Sequence, residues 1–499
     1  MKVLKSLALS SFLIIAVSVS TTVYGASYDV VLKGGRVMDP ESGLDAVRNV
    51  GIKDGKIAAI TTAKLNGARE IDVSGLVVAP GFIDIHDHAQ DNLGNAFQAR
   101  DGVTTALEME LGVYPVAAWY QSRAGKAILN YGATVSHGKA RLAMLTGSRF
   151  RPTNDPDGAD AVPAAEFQKA IRTELTDDQI KGMLSNVEEG LRDGGLGIGI
   201  GVAYVPGARR TEIFRIFQFA RQHHALIFVH GRYGSRIEPD SLDTAQELIA
   251  NAAATGGAVH LCHIGSTGGM LAMTLLEMIE AAQTRQVNIS TEVYPYTASD
   301  TWIGAPILDP GWQQRVDITY SDLEWRDTGE RLTEETFNKY RAEQPFGKVV
   351  AHFMKEEMIR QIVARPGVII VSDATGFSEG SGHPRTAGTF ARVLGRYVRE
   401  EQVLPLMEAL AKMTILPARR LEPFAPAMAH KGRLQKGADA DIAVFDPATV
   451  IDNATFKNAM QYSTGIKHVL VNGVVVVENE ALTPNVFPGK PVRNAVAMP

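Results

Sequence analysis

A single cysteine, Cys262, stands in 499 residues, which excludes an intramolecular disulfide. It lies in an apolar run and is read as a small buried hydrophobe rather than a reactive thiol. No charge of one sign dominates: 50 Lys and Arg face 55 Asp and Glu, for a net charge of −5. With no basic stripe, nucleic acid is not an expected partner. The chain has no short internal repeat, low-complexity tract or heptad run. What remains is globular, with 45% hydrophobic and 21% charged residues. The length allows two or three ordinary domains, or one long α/β barrel whose core can enclose a catalytic cavity.

The N-terminus reads as a targeting segment. Lys2 and Lys5 form a short basic region, Leu7 to Val19 an apolar one, and Val23-Tyr24-Gly25-Ala26 a small-residue cleavage site. The apolar run is too short for a comfortable membrane span. Residues 1–25 are therefore expected to be a signal peptide cut near Gly25 or Ala26. The mature protein is expected to be periplasmic or secreted, with no stable membrane association. No cysteine lies near the cut to carry a lipid anchor.

Tyr28 to Gly35, Val50 to Ile60 and Glu70 to Val78 look like short strands, with turns at Lys33-Gly34-Gly35 and Lys53-Asp54-Gly55. Gly437 to Asp446 and Ile466 to Glu478 mirror them at the far end. Both chain ends, 26–79 and 422–499, are thus expected to build one small β-sandwich domain. Between them, residues 80–421 alternate apolar strand-like runs with helix-like runs. That alternation argues for a parallel sheet closed into a TIM-like (β/α)8 barrel, with its site at the C-terminal strand ends.

Candidate metal ligands fall at those ends. Pro80-Gly81-Phe82-Ile83-Asp84-Ile85-His86-Asp87-His88 ends an apolar run in His-x-His, and a two-residue period puts both imidazoles on one side. His230 ends Ala225 to Val229, His263 ends Ala258 to Cys262, and Asp373 follows Val368 to Ser372. Imidazoles to hold ions and a carboxylate to move protons are the needs of a hydrolytic site with one or two divalent ions, Zn²⁺ or a similar metal. Two ions also need an anionic bridge. In Thr104 to Glu110 two carboxylates share one face, and Glu110, nearer the strand end, is preferred over Glu108. His137 ends another strand and is a further candidate for the cavity. His260, out of phase with His263, is expected to face the surrounding helices, and His223, His224, His352, His430 and His468 lack a suitable context.

These residues resemble the amidohydrolase superfamily and, within it, the N-acyl-D-amino-acid deacylases. The broad marks are the Pro80–His88 stretch and Gly437-Ala438-Asp439-Ala440-Asp441-Ile442. The narrower ones are Gly102-Val103-Thr104-Thr105, Gly201 to Gly207, His230-Gly231-Arg232, Tyr294-Pro295-Tyr296-Thr297-Ala298 and His383-Pro384-Arg385, with Gly388-Thr389-Phe390 and Arg392 to Tyr397. The resemblance implies a metal position at His86, His88 and Asp373, another at His230 and His263, and Asp373 as general base. It implies that Arg385 holds the substrate α-carboxylate, a task suited to a guanidinium fork. It also implies that Arg232, Tyr204 and the Tyr294–Ala298 loop, with Tyr294 and Tyr296, bind substrate.

Two positions depart from the family. A metal-bridging cysteine is common where this chain has Leu111, which makes Glu110 or Glu108 the natural replacement. A carbamylated lysine bridge is the competing possibility, with Lys139 as the nearby lysine. A lysine that helps grip substrate is common where this chain has Gly265. The expected activity is amide hydrolysis of a small-molecule N-acyl-D-amino acid. The alternatives are cyclic amide hydrolysis of the dihydroorotase or hydantoinase type, or a non-catalytic binding protein on the same barrel.

Overall fold

The computed structural model describes residues 27–148, 163–378 and 380–495; the expected signal peptide lies outside them. Eight strands form one parallel sheet: β1 (Phe82–Asp84), β2 (Val103–Val113), β3 (Asn130–Ser136), β4 (Ile198–Gly201), β5 (Leu226–His230), β6 (Ala258–Leu261), β7 (Ile289–Val293) and β8 (Ile369–Ile370). They follow one another in sequence order, and the two ends meet. The His88 N–H donates to the Ala374 carbonyl at 2.8 Å, and the Ser372 N–H to the Asp84 carboxylate at 3.2 Å. Closure leaves the sheet no free edge.

Side-chain alternation divides each strand between two cores. In β5, Ile227 and Val229 pack outward with Ile213, Ile216 and Phe217 of the helix Arg210–Gln222. Leu226 and Phe228 pack inward with Ile83, Leu107, Met109 and Cys262. The inward face fills the barrel floor, so only the upper strand ends remain for polar chemistry. Gly81 is required at the entry to β1: a Cβ there would lie 2.2 Å from the Thr104 side chain.

The expected β domain is a nine-stranded sheet drawn from both ends of the chain. Its seam is the antiparallel pair Val77–Pro80 with Ile442–Phe445. The Gly437–Ile442 motif ties this domain to the barrel. Buried Lys431 donates to Asp439 at 2.9 Å and to Asp441 at 2.7 Å. Asp441 also accepts from Asn130 of β3 at 2.9 Å and from the Asn472 N–H at 2.7 Å. Residues past the last strand of the sheet return to the barrel, where the Val492 N–H donates to the Tyr131 carbonyl at 2.7 Å. Within the expected 422–499 segment, the described residues around Val492 thus pack on the barrel.

One element was not expected. Between β7 and β8 the chain inserts a four-stranded antiparallel sheet, Ala298–Trp302, Leu323–Trp325, Glu330–Arg331 and Lys348–His352. It has its own core, which includes Trp312, Trp325 and Phe337. No helix among the described residues is long and apolar enough to cross a membrane.

Asp441→Ala leaves the Lys431 ammonium short of a buried counter-charge, a loss that costs about 3–5 kcal/mol. Urea unfolding is expected to show a clearly lower midpoint for this variant. A midpoint equal to wild type would contradict the anchoring role.

Candidate metal centre

Five strand ends deliver the centre. β1 leads into His86 and His88, whose Nε2 atoms face each other at 3.2 Å. β2 carries Glu108 and Glu110, β5 ends in His230, β6 leads to His263, and β8 to Asp373. His263 and Asp373 have φ of 30° and 52°, left-handed values uncommon for residues other than glycine. Such a conformation costs about 1–3 kcal/mol. Both come just past a strand end, and both side chains line the cavity at the barrel mouth.

Glu110 stands between two histidine pairs. One of its oxygens is 2.8 Å from His230 Nδ1 and 2.7 Å from His263 Nε2. The other is 3.3 Å from both His86 Nε2 and His88 Nε2. Asp373 Oδ1 approaches the second pair at 3.4 and 3.6 Å. Burial disfavours the Glu110 carboxylate, but His86, His230 and His263 hold it well below the ordinary carboxylate range. Burial likewise opposes charge on His86, yet the Asp373, Glu110 and Glu292 carboxylates raise its pKa well above the usual imidazole range. His88, buried beside Glu108, is held up to about 10. For His230 burial wins and the pKa falls.

His86, His263 and Asp373 form one set of ligand atoms within 4.8 Å of one another; Glu110, His230 and His263 form a second. Nitrogen and carboxylate donors at this density fit Zn²⁺ or another borderline divalent ion. Cys262 Sγ is also within 4.8 Å of His86 and Glu110 ligand atoms, on the inward core side.

A second ring of carboxylates orients the imidazoles. His86 Nδ1 meets Glu292 of β7, and Glu292 also takes His260 Nε2 at 3.0 Å. His88 Nδ1 meets Glu108 at 2.6 Å. The other Glu108 oxygen accepts the Leu111 and Gly112 N–H groups at 3.1 and 3.2 Å, so both oxygens are committed and Glu108 is an orienting group rather than a ligand. The expectation for His260 is also corrected. It faces the barrel interior, because the left-handed turn at His263 breaks the alternation on which the phase argument rested. Glu292 was missed, although a glutamate in an apolar strand is the same signal that exposed Glu108 and Glu110.

A cavity of about 840 Å³ opens from the centre. His88, Glu110, Tyr204, Arg232, Asp373 and Arg385 are among its lining residues. Arg385 grips Asp373 with both terminal nitrogens at 3.0 Å and covers the Tyr294 ring at 4.8 Å. The helix that begins at Arg385 is kinked at Gly388, and Asp101 accepts the Phe390 and Ala391 N–H groups at 2.7 and 3.0 Å just past the kink. Arg232 is held by Glu247 through two contacts of 2.9 Å.

Other expected residues lie elsewhere. Tyr294 is buried beneath Arg385, and Tyr296 sits between His383 and Arg392, so neither lines the cavity. His137 is drawn away by Glu212 at 2.8 Å, and Lys139 does not line the cavity either. A side chain at Gly265 would meet Ile359 and Met354, so this position points into apolar packing.

A closed parallel barrel whose strand ends gather imidazoles around a shared carboxylate defines a metallohydrolase of the amidohydrolase class. Comparison with known proteins agrees. The amidohydrolase family profile matches residues 360–477. An N-acyl-D-glutamate deacylase of Alcaligenes xylosoxydans xylosoxydans is 31% identical over 93% of this chain and 96% of its own length. A D-aminoacylase of the same organism is 32% identical over 91% of this chain and 96% of its own. The crystal structure of N-acyl-D-glutamate deacylase from Bordetella bronchiseptica, complexed with zinc and a phosphonate inhibitor, superposes with a TM-score of 0.77 at 26% identity. That match covers 93% of this chain and 99% of that one. The chain therefore belongs to the N-acyl-D-amino-acid deacylase family of amidohydrolases.

Carboxylates that orient ligating histidines typically contribute 10–100-fold in metal affinity. Glu292→Gln, which alters no ligand, is expected to weaken zinc binding by about that factor in a chelator competition titration. Unchanged affinity would contradict an orienting role.

Proposed function

We propose that this protein is a metal-dependent hydrolase that cleaves the amide bond of N-acyl-D-amino acids to a carboxylate and a free amino acid. The observation that carries the reading is Glu110, which offers one oxygen to each histidine pair while Asp373 faces the same space. The relatives' named activities support the linear-amide reading and the D configuration. His86, His88 and Asp373 would hold one divalent ion, His230 and His263 another, with Glu110 between them. A bound Zn²⁺-class ion supplies water acidified to a pKa near ~7 and a polarised carbonyl.

The remaining steps fall to the chain's own side chains. Asp373 takes the proton of the attacking water and returns it to the leaving amine nitrogen, as one positioned carboxylate can. Arg385 binds the substrate α-carboxylate. That carboxylate competes with Asp373 for the guanidinium, so substrate entry loosens the Arg385–Asp373 pair as the base is needed. Tyr204, whose ring is 4.7 Å from the His230 ring, packs against the bound amide and excludes water.

The basic, apolar and small-residue segments of the N-terminus support a cleaved signal peptide and a periplasmic or secreted enzyme. Mass spectrometry of protein from the native host is expected to give a mature start near Ala26 or Ser27; a start at Met1 would contradict export by this route.

Asp373→Asn is expected to lower kcat on N-acetyl-D-amino acids by at least ~10²-fold, the lower range for a positioned acid–base group. A panel of N-acetyl-D- and L-amino acids with a cyclic amide, read by amine release, checks substrate class on the same sample. Turnover of the cyclic amide alone, or near wild-type kcat in the variant, would sink the reading.

A further inference from the structure

The helix that carries Arg385 does not continue straight out of its first turn. Gly388 leaves helical geometry, with φ −146° and ψ 15°, and sets the turn Arg385–Ala387 apart from the helical run that follows. That turn is held from outside. Thr386 Oγ1 donates to the Thr375 carbonyl at 2.8 Å and accepts the Thr375 N–H at 3.0 Å, which ties the turn to the loop just past Asp373. Thr389 Oγ1 reaches back across the kink to the Arg385 carbonyl at 2.8 Å.

Two distant segments clasp the kink. The first is Asp101, which follows the helix Asn92–Arg100 and accepts the Phe390 and Ala391 N–H groups beyond the kink. It acts there as an N-cap supplied from elsewhere in the chain. The second is the loop that the β domain sends out between Phe445 and Ile466. Ser463 of this loop places its Oγ 2.7 Å from Asp101 Oδ1 and 3.1 Å from the Ala387 carbonyl. One hydroxyl thus joins the two sides of the kink. Asp452 of the same loop accepts from Arg392 at 3.1 Å, and a Cβ on Gly388 would lie 2.6 Å from the Asp452 Cβ, so glycine is what admits this approach. The Arg100 guanidinium donates to the Ser463 carbonyl at 3.1 Å and anchors the loop in turn. Asp101 and Ser463 are 2% and 0% exposed, so the clasp is sealed from water.

We infer that Asp101 and Ser463 are positioning residues for Arg385. A guanidinium that must meet a carboxylate with two nitrogens tolerates little displacement. Arg385 sits at the free end of a turn that its own helix does not hold, and the clasp supplies the missing constraint. The β domain, through Ser463, is thereby part of the binding machinery and more than a platform for the barrel. The inference rests on the deacylase reading only for what Arg385 binds, the substrate α-carboxylate.

The metal-loaded enzyme should be assayed on the N-acetyl-D-amino acid that it turns over best. Asp101→Asn replaces one of two accepting oxygens with a donor, so one of the capped N–H groups loses its partner. This variant is expected to raise KM about tenfold or more, since a misplaced binding group is costly, with kcat within about threefold of wild type. Ser463→Ala, a smaller change, should raise KM severalfold and keeps the test open if Asp101→Asn fails to fold. In an Arg385→Ala background neither change should raise KM further, because the group they position is gone. Equal effects with and without Arg385, or a loss of kcat with KM unchanged, overturn the inference. Crystal structures of the two variants give a readout that needs no turnover. The Arg385 guanidinium is expected to withdraw from Asp373 in Asp101→Asn; the 3.0 Å grip kept in both variants overturns the inference. If the wild type hydrolyses no N-acyl-D-amino acid but the guanidinium withdraws, the clasp stands and the deacylase reading fails. If substrates turn over and the grip is kept, the clasp fails alone.

Discussion

Two cations a few ångströms apart in a dry cavity repel strongly, and they can be held together only by an anion placed between them. In the proposed two-ion centre Glu110 would be that anion. The rest of the centre is arranged around its two oxygens, with His230 and His263 on one and His86 and His88 near the other. The same histidines that would share metals with Glu110 keep its carboxylate ionised against the effect of burial. At position 111, where the family resemblance implies a bridging cysteine, this chain has leucine, and in the proposed centre the preceding glutamate would take that place.

The surrounding structure serves that placement. Glu108 and Glu292 fix the Nδ1 atoms of the His-x-His pair, so the Nε2 atoms face each other. Left-handed turns at His263 and Asp373 bring side chains to the barrel mouth from positions past their strands. Far below, the Lys431–Asp439–Asp441 cluster meets the barrel through Asn130, which donates to Asp441. The superfamily's Gly437–Ile442 motif is therefore a structural seam, and the chemistry lies at the other end of the strands.

Much of this was legible in the sequence. The His-x-His pair, His230, His263 and Asp373 each follow an apolar run, and that recurring pattern is a direct consequence of strands ending at one barrel face. Glu110 could be chosen over Glu108 by its position alone. What the pattern could not reveal was anything that depends on a local break in strand geometry. His260 was placed on the wrong face because periodicity was extended through a residue with positive φ. His137 was expected at the cavity because it ends a strand, and Tyr296 because the family resemblance implied it, whereas Glu212 and Arg392 hold them elsewhere. The inserted sheet escaped notice because its strands are short and separated by turns, and their register brings Trp302, Lys348 and Arg326 together only in three dimensions.

Anomalous diffraction from crystals of the zinc-loaded protein tests the shared-carboxylate account most directly. The account predicts two metal peaks, one bonded to each Glu110 oxygen, with His86 and His88 on one and His230 and His263 on the other. Two peaks bridged by another group, or a single peak with Glu110 turned away, would contradict it.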